Sequence, residues 1–192
     1  MAVHVRVIAG SARGTLLRQP RPETTRPTSA RLRESLFAML EAADADFDQV
    51  LDLYAGSGAL GIEALSRGDG RCTFVEADAR AADVIRDNLR RVRFDDRATV
   101  VVARAGKWRP PELTRYTLVI ADPPYDDGQA WAAIEATVAH VLATHAMLAV
   151  EHSARRPSPE TLVGLTRWRE RRQGDGAVAL YRLQPPVGED AA

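Results

Sequence analysis

Val50-Leu51-Asp52-Leu53-Tyr54-Ala55-Gly56-Ser57-Gly58-Ala59-Leu60-Gly61 is the stretch whose reading decides the fold. Its first five residues form a short strand of the buried type, broken by one acid. A glycine-rich turn follows, and a helix opens behind it through Ala64 and Leu65. Glycines let a backbone approach a ligand closely, and free amides at a helix start attract anionic groups. Nucleotide-binding proteins use related turns, so the stretch alone narrows function only to a ligand-binding α/β fold.

Toward the C-terminus, strands and helices alternate. Residues 72–76 read as a second strand, and Asp78 caps a helix with Ala82, Ile85, Leu89 and Val92 on one face. Residues 99–102 and 117–121 are further strands. A helix bearing Ala130, Ile134, Val138 and Val141 leads to a fifth strand at 147–151. Such alternation predicts a mostly parallel sheet with helices on both faces and ligands at the strands' C-terminal ends. Residues 164–173 and 177–183, joined by Gln173-Gly174-Asp175-Gly176, predict a closing antiparallel hairpin. Toward the N-terminus, residues 3–9 alternate like a strand, and Thr15-Leu16-Leu17 can return beside them. Prolines 20, 22 and 27 predict an irregular stretch. Thr28 or Ser29 then caps a helix striped by Leu32, Leu36 and Leu40. The expected organisation is an N-terminal hairpin-and-helix extension over 1–40, a main domain over 41–184 and a frayed tail over 185–192.

The chain has 192 residues, with 26 basic and 26 acidic side chains. Lys107 is the one lysine. Seven arginines against Glu23 make residues 1–33 strongly basic, which reads as a phosphate-contact surface. No apolar run approaches the roughly 18 residues of a membrane span, and the first residues lack a secretory signal's apolar core. A lone cysteine, Cys72, excludes an internal disulfide or a cysteine-based zinc cluster. His4, His140, His145 and His152 are dispersed, so no metal is expected. A cytoplasmic location is expected.

Three features carry chemistry. The glycine turn is the first. Glu76, at the end of the second strand, is the second; a carboxylate about 20 residues past such a turn can accept both hydroxyls of a ribose. Asp122-Pro123-Pro124-Tyr125, after the fourth strand, is the most specific. Its prolines fix the backbone, so the Pro123 carbonyl can be held as a rigid acceptor. Asp122 adds a second acceptor, and Tyr125 offers a flat face to a base. Two acceptors suit a planar amine with two N–H donors, which they orient for methylation.

These segments, with Arg6-Val7-Ile8-Ala9-Gly10, Arg13-Gly14, Arg26-Pro27-Thr28, Arg31 and Arg33-Glu34-Ser35-Leu36-Phe37, resemble one family over residues 4–183. It is the bacterial Rossmann-type S-adenosylmethionine methyltransferase family that acts on the N2 amine of a guanine in 16S ribosomal RNA. The resemblance implies a Rossmann-like sheet in the order 3-2-1-4-5-7-6 with an antiparallel last strand. It implies S-adenosylmethionine as cofactor, held by Asp52, Tyr54, Ala55, Gly56, Ser57, Gly58, Glu76, Ala77, Arg104, Ala105 and Asp122. Asp122, Pro123, Pro124 and Tyr125 would be catalytic, with Tyr125 stacked on the base. Arg6, Arg13, Arg26, Thr28 and Arg31 would grip RNA of the small subunit or its assembly intermediate. A monomer is expected. Where related proteins carry an acid toward the adenine amine, this chain has Arg104, which cannot accept a hydrogen bond. Cofactor retention is therefore expected to improve when RNA closes the site.

The competing readings are an adenine-N6 methyltransferase, a silent RNA-binding assembly factor and a protein methyltransferase. Asp-Pro-Pro-Tyr serves any planar exocyclic amine, but 192 residues leave no room for a separate DNA-recognition domain. Arg155, Arg156, Arg167, Arg169, Arg171 and Arg172 either extend the RNA surface or serve as charges that blunt a sheet edge.

Overall fold

A computed structural model describes residues 5–20, 30–111 and 113–183. The central element is an eight-stranded sheet. Its parallel half comprises β3 (Gln49–Leu53), β4 (Arg71–Glu76), β5 (Ala98–Val102), β6 (Tyr116–Ala121) and β7 (Leu142–Ser153). The other half is antiparallel: β8 (Thr161–Leu162), β9 (Leu165–Gln173) and β10 (Gly176–Arg182). The order is β5-β4-β3-β6-β7-β10-β9-β8. Apart from the short β8 at one margin, this is the expected 3-2-1-4-5-7-6 arrangement, with β10 antiparallel to both β7 and β9.

Side chains alternate between two cores because successive strand residues face opposite sides. Val50, Phe74, Ile120, Ala149 and Leu180 face one core. Leu51, Val75, Val119, Leu148 and Tyr181 face the other. The first core is covered by α1 (Ala30–Glu41), α2 (Ala59–Arg67) and α3 (Ala79–Val92). The second is covered by α4 (Ala130–Val138), through Ile134 and Val138. Asp78 caps α3 as expected, its side chain accepting from the Arg80 amide. Both faces therefore carry helices. The β5–β6 connection is irregular, apart from turns, and β8 rather than a helix fills the β7–β9 connection.

Some boundaries differ from expectation. The N-terminal hairpin is only β1 (Val5–Arg6) against β2 (Leu16–Leu17). Its remaining rungs are loop hydrogen bonds, such as Val7 N–H to the Thr15 carbonyl at 3.0 Å. Tyr54 lies outside its strand, at φ 59°. Val141 lies past the end of α4 yet is buried. β7 begins at Leu142, five residues early, where polar Thr144 and His145 had masked the strand pattern. The predicted cap at Thr28 or Ser29, the prolines 22 and 27 and the tail over 185–192 lie outside the described residues.

The extension shares the main core: Val7, Leu17, Leu32, Leu36, Phe37 and Leu40 belong to the same cluster as the sheet. Polar clasps fix its path. Glu63 of α2, fully buried, accepts from the Ile8 amide at 2.7 Å and the Ala9 amide at 3.0 Å. The Ser66 hydroxyl donates to the Ala9 carbonyl and accepts from the Ala12 amide. Gly10 crosses here at φ 80°, where a Cβ would sit 1.7 Å from the Ser66 carbonyl oxygen. Among the described residues, no helix is long and apolar enough to cross a membrane, and no His, Cys, Asp and Glu cluster could hold a metal ion.

Candidate active site

The parallel strands end on one edge, and the chemistry-bearing residues collect there. Tyr54 through Gly58 follow β3. Glu76 and Ala77 follow β4, Arg104 and Ala105 follow β5, and Asp122 through Tyr125 follow β6. Because β3 lies between β4 and β6, the glycine turn sits between Glu76 and Asp122. The Asp122 amide donates to the Leu53 carbonyl at 3.3 Å, fastening the two motifs together.

The turn is held by its neighbours. The Ala55 amide donates to the Val75 carbonyl at 3.2 Å, and the Gly56 amide donates to Glu76 Oε2 at 2.7 Å. Glu76 Oε1 accepts from the Asp78 amide at 2.9 Å, so this half-buried carboxylate is fixed from both sides. Gly56 adopts φ 56°, and nothing lies closer than 3.9 Å to where its Cβ would be. Its open side leaves the backbone approachable. Tyr54, strained at positive φ, has its hydroxyl pushed up to about 12 by burial and by Asp127.

Asp52 is 1% exposed. Its Oδ2 accepts from the Gly61 amide at 2.8 Å, satisfying one of the orphan donors of α2, while Oδ1 is buried without a partner. Burial, with the nearby Asp122 and Glu76 charges, raises its carboxyl to about 8, against the effect of the Gly61 bond. An open glycine turn, an acid fixed at the next strand's end and a buried carboxyl beneath fit the amino-acid and ribose ends of S-adenosylmethionine. Arg104 is exposed; its described bonds are those its carbonyl accepts from the Lys107 and Trp108 amides.

In the Asp-Pro-Pro-Tyr segment, Asp122 and Tyr125 are half-buried, Pro123 is buried and Pro124 exposed. The Tyr125 hydroxyl donates to Glu151 Oε1 at 2.7 Å. Gly176 gives that ring room, since a Cβ there would lie 2.4 Å from the Tyr125 hydroxyl and 2.9 Å from Leu32 Cδ2. The closing hairpin and the start of α1 thus abut the site.

Glu151 and Asn88 escaped sequence reasoning. Glu151, 4% exposed at the end of β7, had one available signal: an acid ending an apolar strand on the ligand edge. Asn88, fully buried, donates from one Nδ2 to the Arg18 and Ser57 carbonyls, both at 2.9 Å, and accepts from the Arg18 amide at 2.8 Å. Gln19 Nε2 donates to the Ser57 hydroxyl at 3.0 Å. The N-terminal segment is therefore clasped directly to the glycine turn.

The predicted RNA contacts divide. Arg31 is exposed on the first turn of α1, next to Leu32 and the site. Arg6 is exposed, its Nη1 donating to the Gly14 carbonyl. Arg13 is exposed beside the Ser66 clasp, near the far end of α2. Arg26 and Thr28 lie outside the described residues.

The family model described as conserved hypothetical protein 95 matches residues 5–182. Ribosomal RNA small subunit methyltransferase D of Escherichia coli is 33% identical over 192 residues, covering 97% of this chain and 94% of that protein. Its Haemophilus influenzae namesake is 31% identical over 183 residues, covering 93% and 92%. A Thermus thermophilus 16S rRNA N2 methyltransferase, solved with AdoMet and guanosine, shares the fold at TM-score 0.71 and 18% identity. That match covers 96% of this chain and 50% of that one. Fold and site define a Rossmann-like methyltransferase that uses S-adenosylmethionine. The chain belongs to the family of ribosomal RNA small subunit methyltransferase D.

Proposed function

We propose that this enzyme methylates the exocyclic N2 amine of a guanine in 16S ribosomal RNA, in the small subunit or its assembly intermediate. The observation that carries the reading is the fastening of Asp122-Pro123-Pro124-Tyr125 beside the glycine turn on adjacent strands, β6 and β3. The names of the Escherichia coli and Haemophilus influenzae relatives supply the RNA class.

When bound, S-adenosylmethionine supplies a methyl group already activated by its sulfonium. Glu76 would hold the ribose, with Gly56 and Gly58 of the turn along the amino-acid end. Asp122 and the Pro123 carbonyl would each accept one N–H of the guanine amine. That grip weakens conjugation of the nitrogen lone pair with the ring and aims it for attack. As the nitrogen gains its methyl it sheds a proton, which Asp122 would receive. Tyr125 would stack on the base, its ring held by Glu151 and by the space at Gly176. A base inside a helix is out of reach, so a loop or flipped nucleotide is required. The basic extension, including Arg31 beside Leu32 at the start of α1, would grip the surrounding backbone.

Nucleoside analysis tests the chemistry. After incubation with cofactor, 16S RNA from subunits lacking the modification is digested and its methylated nucleosides identified. N2-methylguanosine is expected; N6-methyladenosine in its place would refute the guanine assignment.

A further inference from the structure

Sequence leaves the C-terminal arginines undivided between RNA contact and edge protection, but the structure divides them by face. Arg172 lies opposite Ala177, and Glu170 opposite Ala179, on the side of the second core. There Glu170 neutralises its neighbours: Arg172 Nε is 2.8 Å from Oε1, and Arg167 Nη1 is 3.7 Å from Oε2. Arg155 is likewise paired with Asp175, at 3.2 Å.

The other face of β9 is different. Arg171 lies opposite Val178 and Arg169 opposite Leu180, on the side of the first core that α1 covers. Both are exposed, and among the described residues neither has a carboxylate partner. A register irregularity at Leu180/Tyr181 accommodates Trp168, which packs against the first core. The Arg169 guanidinium lies 4.4 Å from the Trp168 ring centroid and that of Arg182 lies 4.2 Å from it. Two guanidinium groups therefore stack on one indole, Arg171 follows two residues along the same strand, and among the described residues none of the three has a carboxylate partner. Stacking orders the two planar heads while leaving their N–H edges for a second partner. The strip is on the sheet face of α1 and Arg31, and it belongs to the hairpin whose Gly176 abuts Tyr125.

We propose that Arg169 and Arg182, stacked on Trp168, and Arg171 on the same face of β9 form a second RNA-contact strip. It would take backbone phosphates of the ribosomal RNA flanking the target base. This rests on the RNA reading above. Charge complementarity selects the occupant: unpaired arginines release counterions from a phosphate backbone, whereas arginines already paired with acids contribute little.

The test compares wild type, an Arg169→Gln/Arg171→Gln double variant and Arg86→Gln, whose arginine is paired with Asp83 on α3. Each binds protein-free 16S RNA and, in parallel, whole small subunits over a series of salt concentrations, with cofactor binding and melting temperature measured alongside. The double variant is expected to lose about tenfold in RNA affinity near physiological salt. Its slope of log affinity against log salt should fall by about 1.4 to 1.8, from two lost phosphate contacts. Cofactor affinity and melting temperature should hold, and Arg86→Gln should match wild type. Unchanged RNA affinity and slope in the double variant would overturn the strip. Aggregation with unchanged affinity would assign these arginines to edge protection instead. Weaker binding to whole subunits but not to protein-free RNA would point to a protein partner and equally overturn it. Wild type that fails to bind or methylate RNA would be a distinct result, removing the functional reading itself.

Discussion

Asp52 caps α2 through one oxygen and buries the other, and that arrangement has a consequence for stability. Its carboxyl is raised to about 8 in the fold but returns to the ordinary carboxylate range when the chain unfolds. Between these values the folded state binds the extra proton. Its contribution to stability therefore falls as pH rises from about 4 to 8. Asp52→Asn keeps an acceptor for the Gly61 amide and removes the titration. Urea unfolding of the cofactor-free protein across that range should show the variant gaining on wild type as pH increases. Taking the difference between the two isolates Asp52 from His152, whose burial lowers its pKa and gives the opposite trend. A constant difference across the range would mean that Asp52 is ionised in the fold. At this scale the site was legible where chemistry is local. Asp-Pro-Pro-Tyr and the glycine turn announce themselves through residue types that restrict or free their own backbone. Glu151 and Asn88 were not legible, because their meaning lies in partners at Tyr125 and Arg18, 26 and 70 positions away.

The α2 helix does two jobs, and its sequence advertises only one. Its start builds the glycine turn. Its inner face, through Glu63 and Ser66, holds the N-terminal extension. A buried acid in Gly61-Ile62-Glu63-Ala64 looks like an ordinary helical glutamate until the hairpin is folded onto it. Glu63→Ala would leave the Ile8 and Ala9 amides without their acceptor and strip the 8%-exposed Arg67 side chain of one partner. A loss of about 3 kcal/mol is expected from denaturant unfolding. Trypsin should then cut at Arg6 and Arg13 well before it cuts the main sheet. Equal protection of those sites in variant and wild type would show that apolar packing alone holds the extension. The strands and helices themselves were legible from periodicity. The early start of β7 was not, since Thr144 and His145 interrupt its apolar pattern, and the two-residue β8 carries too little pattern to read.

Across the whole molecule, the extension and the cofactor turn form one connected structure. Asn88 and Gln19 tie residues 18 and 19 to Ser57, and α1 resumes beside Gly176 and Tyr125. A ligand that holds residues 18 and 19 in place also holds the turn, and by linkage the effect is reciprocal. Were the cofactor's adenine amine to meet Arg104, which cannot accept from it, that help would matter more. Cofactor affinity, measured by calorimetry, is expected to rise at least about fivefold when saturating substrate RNA is present. Asn88→Ala should reduce the gain more than it reduces affinity without RNA. Equal cofactor affinity with and without RNA would show the two sites to be independent. The most direct test of the whole account is transfer of a labelled methyl group from S-adenosylmethionine to small ribosomal subunits lacking the modification, by wild type and by Asp122→Ala. The account predicts label in 16S RNA with wild type and a loss of at least about a hundredfold in the variant. Label absent from the RNA, or equal label with both proteins, would contradict it.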